Sequence, residues 1–214
     1  MSFKNKKILI TAGPTWAAID SVRVISNTAT CETGLLLSKA LSSRGAKITL
    51  LAGNGCEKTK IKNLKVISFR FFDQFQDEIK REIGPGKYDI VIHSAAVSDY
   101  KLKKSYPVKL KSGIKNLKLL LVPAPRIIDS IKKLDPALFL VGFKFEPNAS
   151  RERLFSGAKK LLLRAGADLV VANTVINHKY RAYVLDEEKA SPWLSGKKEL
   201  VKYLVNKIGE KLCR

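Results

Sequence analysis

The sequence predicts one α/β domain built on a mostly parallel sheet with helices on both faces, and three observations carry that expectation. Short apolar runs of strand length alternate with amphipathic stretches of helix length along the whole chain. Glycine and proline punctuate the alternation, as at Gly45 and at Gly84-Pro85-Gly86. Hydrophobic residues make up 45% of the 214 residues and charged residues 28%, enough for a single core and too much apolar content for wholesale disorder.

Lys7 to Ala12 reads as a buried strand running into Gly13-Pro14-Thr15. Leu35, Leu36, Ala40 and Leu41 recur at helical spacing up to Arg44, with Gly45 as the stop. Lys47 to Ala52 and Leu64 to Phe69 are the next strands, and Asp73-Gln74-Phe75-Gln76 resembles a capping box that opens a helix to about Ile83. Tyr88 to His93 is a strand whose carboxyl end delivers Ser94 to Tyr100. Residues 101–118 hold seven lysines and no acid, which reads as an exposed basic loop. A helix after Pro125, a strand Leu138 to Phe143, a helix from about Ser150 to Ala165 and a strand Asp168 to Ala172 continue the pattern. Tyr180 to Leu185 is a further strand, and a terminal amphipathic helix covers about 198–212. The whole is a doubly wound, Rossmann-like domain spanning 1–214, whose ligands belong beyond the carboxyl ends of the strands.

Composition narrows the chemistry. Forty Lys plus Arg against nineteen Asp plus Glu give a net charge of +21, which favours an anionic partner without choosing among nucleotide, phosphorylated metabolite and nucleic acid. The three cysteines, Cys31, Cys56 and Cys213, match no disulfide framework or zinc set by spacing, so a reduced, cytoplasmic setting is expected. Two histidines, His93 and His178, argue against a multi-histidine metal site or a Ser-His-Asp triad. No apolar run is long enough for a secretion signal or a membrane span.

The glycine after the first strand lets a ligand approach the backbone, although a tight turn explains it equally well. Read onward, Gly13-Pro14-Thr15 is followed by Ile19-Asp20-Ser21-Val22-Arg23-Val24-Ile25-Ser26-Asn27. Further blocks are Ala95-Ala96-Val97-Ser98-Asp99-Tyr100, Lys109-Leu110-Lys111, Val141-Gly142-Phe143 with Glu146, Lys160 to Arg164, and Asp168 to Asn173. In this order and spacing they resemble the phosphopantothenoylcysteine synthetase family.

The resemblance implies a ligase of coenzyme A biosynthesis that joins 4′-phosphopantothenate to L-cysteine through an acyl-nucleotide, using CTP or ATP with Mg²⁺ and acting as a homodimer. It implies Lys109 as the cation over the reacting phosphates, with Asn27 beside it in catalysis. Gly13, Thr30, Gly34, Asp99, Phe143, Lys160 and Arg164 are implied for the nucleotide, and Arg23, Asn27, Ala95, Ala96 and Asn173 for the phosphopantothenate chain. Arg23 would reach across the dimer to the substrate phosphate. Because the chain begins directly before the synthetase-like strand, no FMN-dependent half is expected. Several roles have plain competitors: a solvated helix face for Lys160 and Arg164, and an ordinary core position for Phe143. The i, i+4 pair of cations repels itself unless an anion lies nearby, and a triphosphate would be that anion.

Residues 28–34 depart from the family's phosphate loop: Ala29 replaces a serine and Cys31 a glycine, and Glu32 adds negative charge. A left-handed backbone at Cys31 would be strained. Two other readings compete. Tyr100 to Lys104 spells the Tyr-x-x-x-Lys of short-chain dehydrogenases, without the matching glycine-rich turn. The charge suits a nucleic-acid-binding module, but no reader motif accompanies it.

Overall fold

A computed structural model describes residues 2–56, 61–62 and 64–212. Twelve strands and five helices are formed by these residues: β1 Lys7–Ala12, β2 Trp16–Ala18, β3 Val24–Ser26, α1 Glu32–Ser42, β4 Lys47–Ala52, β5 Leu64–Ser68, α2 Phe72–Glu82, β6 Ile90–His93, β7 Tyr100–Leu102, β8 Leu121–Pro123, α3 Ile128–Leu134, β9 Phe139–Phe145, α4 Arg151–Ala165, β10 Leu169–Ile176, β11 Lys179–Leu185, β12 Leu194–Ser195 and α5 Lys197–Leu212. Eight strands make one sheet in the order β12-β11-β10-β9-β6-β1-β4-β5. From β10 to β5 every pairing is parallel, while β11 and β12 add an antiparallel edge. The doubly wound α/β expectation is thereby met.

Alternation along β1 shows why both faces must be covered. Ile8, Ile10 and Ala12 enter one core with Leu37 and Leu41 of α1 and Leu204 and Ile208 of α5. Leu9 enters the other with Phe75 of α2, Ile131 of α3 and Leu161 of α4. Helix α4 starts where Ser150 accepts a hydrogen bond from the Arg153 amide at 3.3 Å and stops at Gly166, whose φ is 61°. The N-cap of helix α2 is Phe71, two residues before the expected Asp73: Gln74 Oε1 accepts from the Phe71 amide at 3.2 Å, which is the reciprocal half of that motif.

Three features differ from expectation. Residues 16–26 fold into the β2/β3 hairpin, and the basic stretch leaves through β7 and returns through β8. Strand β10 runs on to Ile176 and turns back through Asn177 and His178, both with positive φ, into β11. Most importantly, Cys31 and Cys56 form a disulfide with their Cα atoms 5.6 Å apart. Spacing arithmetic missed it because the two residues meet only in the fold, where the entry to α1 lies against the turn after β4.

Gly34 illustrates how tightly α1 is seated. A Cβ there would lie 2.4 Å from Ala12 Cβ, a rigid atom at the end of β1. Gly34→Ala is therefore expected to destabilise the fold by about 1–3 kcal/mol, read as a lowered thermal midpoint with retained secondary structure.

Candidate functional site

The first place to look is the carboxyl edge of the sheet, where the loops after β1 and β6 lie side by side. The Ala96 amide donates to Gly13 O at 2.9 Å, and Ala96 O accepts from the Thr15 amide at 3.2 Å. Thr15, fully buried, accepts from the Ser98 amide at 2.9 Å, and Thr11 Oγ1 accepts from the Ala95 amide at 3.2 Å. Asn27 Nδ2 then donates to Ala96 O at 2.9 Å. Gly13, Asn27, Ala95 and Ala96, proposed from distant parts of the sequence, are thus one hydrogen-bonded assembly. Gly13 has φ 88°, and a Cβ on it would sit 2.7 Å from Cys56 Sγ, so only glycine fits.

Helix α1 points its amino terminus at the same edge. Cys31 occupies its N-cap position with φ 63°, the left-handed backbone anticipated there, and its side chain makes no capping bond. Thr30 is exposed just before it and Gly34 is buried just after. Glu32, in the first turn, pairs with Lys197 of α5.

The basic loop is anchored by Asp20, to which sequence reasoning gave no role, and by Arg23, which it assigned to the substrate. Asp20, whose side chain is wholly covered, accepts from the amides of Val22 at 2.9 Å, Arg23 at 2.8 Å and Leu110 at 3.1 Å. Burial works to raise its pKa, but these amides and the Arg23 guanidinium outweigh it and hold the carboxyl below its ordinary value. Arg23 Nη1 pairs with Asp20 at 2.9 Å, and Nη2 donates to Leu110 O at 3.2 Å. Arg23 is therefore engaged within its own chain, where the family pattern had it reaching to a partner. Leu110 adjoins Lys109, which is itself exposed. The signal for Asp20 was its place in the Ile-Asp-Ser-Val-Arg block. Asp20→Ala is expected to free this loop, raising tryptic cleavage within 101–118 by about tenfold in a time course on the folded protein.

The expected nucleotide residues divide between the two faces of the sheet. Phe143 is in register with Val171 and packs on the α1/α5 core. Lys160 and Arg164 lie on α4, on the opposite face, in a stripe with Arg153 and Gly157 that looks across β9. Arg164 Nε contacts Asp129 Oδ1 at 2.9 Å, so the anion that relieves this cationic pair is a carboxylate of α3. Lys160 is exposed and, among the described residues, has no acidic partner. Asp99 carries an exposed carboxylate, and its carbonyl accepts from the Ala124 amide at 2.9 Å. Among the described residues no group of three or more His, Cys, Asp or Glu could hold a metal ion.

On the α1/α5 face a polar pair stands ready. Asn173 Oδ1 and Tyr180 Oη are buried near each other, and neither oxygen makes a well-formed hydrogen bond. Burial pushes the Tyr180 phenol above its usual range, and Lys197 Nζ lies 5.7 Å from its ring centre. Asn173 was anticipated, whereas Tyr180 looked only like a strand residue. Hollows of about 620 and 410 Å³ lie at the other end of the sheet, around Lys7, Lys47 and Tyr88 and around Lys6, Asp89 and Asp168; neither is lined by Lys109, Lys160 or Arg164. The Tyr100 to Lys104 spacing falls on β7 and the bend after it, not along a helix, which removes the dehydrogenase reading. Among the described residues no helix is long and apolar enough to cross a membrane.

Comparison with known proteins gives one consistent result. Residues 3–211 match the family model of the DNA/pantothenate metabolism flavoprotein C-terminal domain. The chain is 41% identical over 174 residues to the coenzyme A biosynthesis bifunctional protein CoaBC of Thermococcus kodakarensis, covering 81% of this chain and 42% of that protein. The chain thus spans less than half of that relative. The crystal structure of the DNA/pantothenate metabolism flavoprotein from Streptococcus pneumoniae superposes with a TM-score of 0.86 at 27% identity, covering 96% of this chain and 99% of that one. A Cab2 variant in complex with phosphopantothenate-cysteine shares the fold, with a TM-score of 0.75 at 16% identity over 98% of this chain and 88% of that one.

Proposed function

Because this chain belongs to the DNA/pantothenate metabolism flavoprotein C-terminal domain family, we propose that it joins 4′-phosphopantothenate to L-cysteine at the expense of a nucleoside triphosphate. The observation that carries this reading is the assembly of Gly13, Asn27, Ala95 and Ala96 beside the α1 amino terminus. A phosphate-bearing substrate can approach the bare backbone at Gly13, and the first-turn amides of α1 offer donors that lack intrahelical acceptors.

The substrate carboxylate attacks the α-phosphate of CTP or ATP, and pyrophosphate leaves. The cysteine amine then attacks the acyl carbon, and the nucleoside monophosphate leaves with the bonding electrons of the C–O bond. Neither step needs a nucleophilic side chain; both need alignment and neutralised charge. Lys109 supplies positive charge over the reacting phosphates, with Lys160 a second cation from the far face. Asn27 orients the pantothenate chain, and Asn173 and Tyr180 close the wall on the α1/α5 side. Mg²⁺ would be held chiefly by the phosphates, with Asp99 the acidic group of this edge that suits it. Two copies associate through exposed Val22, Tyr106 and Val108, carried by residues 19–23 and by the basic loop, whose Tyr106 amide donates to Ile19 O at 2.8 Å.

The test is direct. Protein mixed with 4′-phosphopantothenate, L-cysteine, Mg²⁺ and either nucleotide is expected to release pyrophosphate and form the thiol-bearing amide. Absence of pyrophosphate with both nucleotides across a magnesium titration would overturn the proposal.

A further inference from the structure

Cys31 and Cys56 take no part in the reaction proposed above, yet they sit over its centre. Cys31 ends the loop that enters α1, and Cys56 closes the turn after β4; exposure is 7% and 1% respectively. The bridge between them roofs Gly13, whose added Cβ would meet Cys56 Sγ at 2.7 Å and Cys31 Sγ at 2.9 Å. From the neighbouring side Gly53 presses on the same loop, since a Cβ on it would lie 2.7 Å from Pro14 O. Cys31 holds φ 63° without glycine's freedom and without a capping bond from its side chain. The covalent tie is what this backbone has in their place.

We infer that the Cys31–Cys56 bridge is a positioning element for the nucleotide phosphates, fixing the entry to α1 so that its first-turn amides face the Gly13 loop. The inference rests on the ligase reading of this edge. Opening the bridge takes two electrons and two protons from a dithiol, which becomes a disulfide as two cysteine thiols form. Order in residues 28–34 then follows the thiol redox state.

Two double variants separate positioning from simple stapling. Cys31→Ala with Cys56→Ala removes the bridge and leaves a side chain in the left-handed backbone, whereas Cys31→Gly with Cys56→Ala removes the bridge and also relieves the strain. The alanine pair is expected to raise the nucleotide KM by about tenfold while the cysteine KM stays within about twofold, and the glycine pair to recover most of the loss. Dithiothreitol should reproduce the alanine phenotype in the parent protein, reversibly. Unreduced, unfolded protein should titrate as a single thiol per chain, that of Cys213. Three thiols per chain, equal kinetics in the two variants, or a lowered thermal midpoint with unchanged nucleotide KM would overturn the inference. If the parent protein consumes no nucleotide, the ligase reading fails separately. Amide exchange across residues 28–35 then decides the bridge's role: faster in the alanine pair than in the glycine pair supports it, and equal rates refute it.

Discussion

Lys109→Gln is expected to slow pyrophosphate release by about 100-fold or more, with circular dichroism unchanged. Glutamine keeps most of the length and the hydrogen-bonding end of the side chain but removes the charge. Attack on the α-phosphate gathers negative charge on the transferring group and on departing pyrophosphate, and a cation held there acts more strongly in the transition state than in the ground state. Placement decides how much of that advantage survives. Leu110, the next residue, is gripped at its amide by Asp20 and at its carbonyl by Arg23, so Lys109 leaves from a fixed backbone although its head group is exposed. Lys111→Gln provides the control, because a general field effect would weaken both variants alike. Expected for Lys111→Gln is a change within about twofold, and the loss in Lys109→Gln should fall on kcat more than on KM. Equal, modest losses at both positions would reduce Lys109 to one lysine among seven in its loop.

The second large effect concerns acid. His93 is fully buried at the end of β6, with Nδ1 3.2 Å from Thr11 Oγ1 and its ring 5.9 Å from that of Phe75. Burial pushes its pKa down from 6.5 to about 4. The unfolded chain therefore takes up a proton near pH 6.5 that the folded chain refuses until about pH 4. Stability from this group is complete above pH 6.5, falls as the pH drops toward 4, and levels off below. The difference corresponds to about 3 kcal/mol at most. His93→Gln, uncharged throughout, is expected to show a flatter decline between pH 7 and pH 4 in denaturant titrations. Comparing the two proteins cancels the acid response of carboxylates such as Asp20 and Asp89, whose pKa values are lowered. Parallel curves would mean that the imidazole titrates in the fold as it does in the unfolded chain, and would overturn the depressed value.

Much of this architecture could be read from local pattern. Continuous apolar runs located the parallel strands, and the helix expected from about Ser150 to Ala165 matches α4 almost to the residue. The loops after β1 and β6 were legible because buried strands ending in small residues have few other uses. What escaped depends on which distant residues become neighbours. Short strands such as Trp16–Ala18 lack enough residues to show a period. The Cys31–Cys56 bridge follows from strand order, and the engagement of Arg164 by Asp129 from the packing of α3 on α4. Likewise, Lys160 and Phe143 belong to matching family blocks, yet the alternation of β9 sends Phe143 to the face opposite α4. A motif specifies residues, but the sheet decides which side of itself they serve.

Asn173 Oδ1 and Tyr180 Oη, shut away from water with at most each other to bond, would lend the wall beside α1 a selectivity of its own if a ligand parted them. Most surfaces must shed a hydration shell before greeting a guest, which erases most of what each new polar contact contributes. Here that toll is already behind the protein. A visitor that separated them and offered an N–H to Asn173 Oδ1 would keep much of the strength of that contact, whereas an acceptor-only anion would find the same oxygen repellent. Discrimination at this edge can thus come from dry neutral oxygens as much as from lysines.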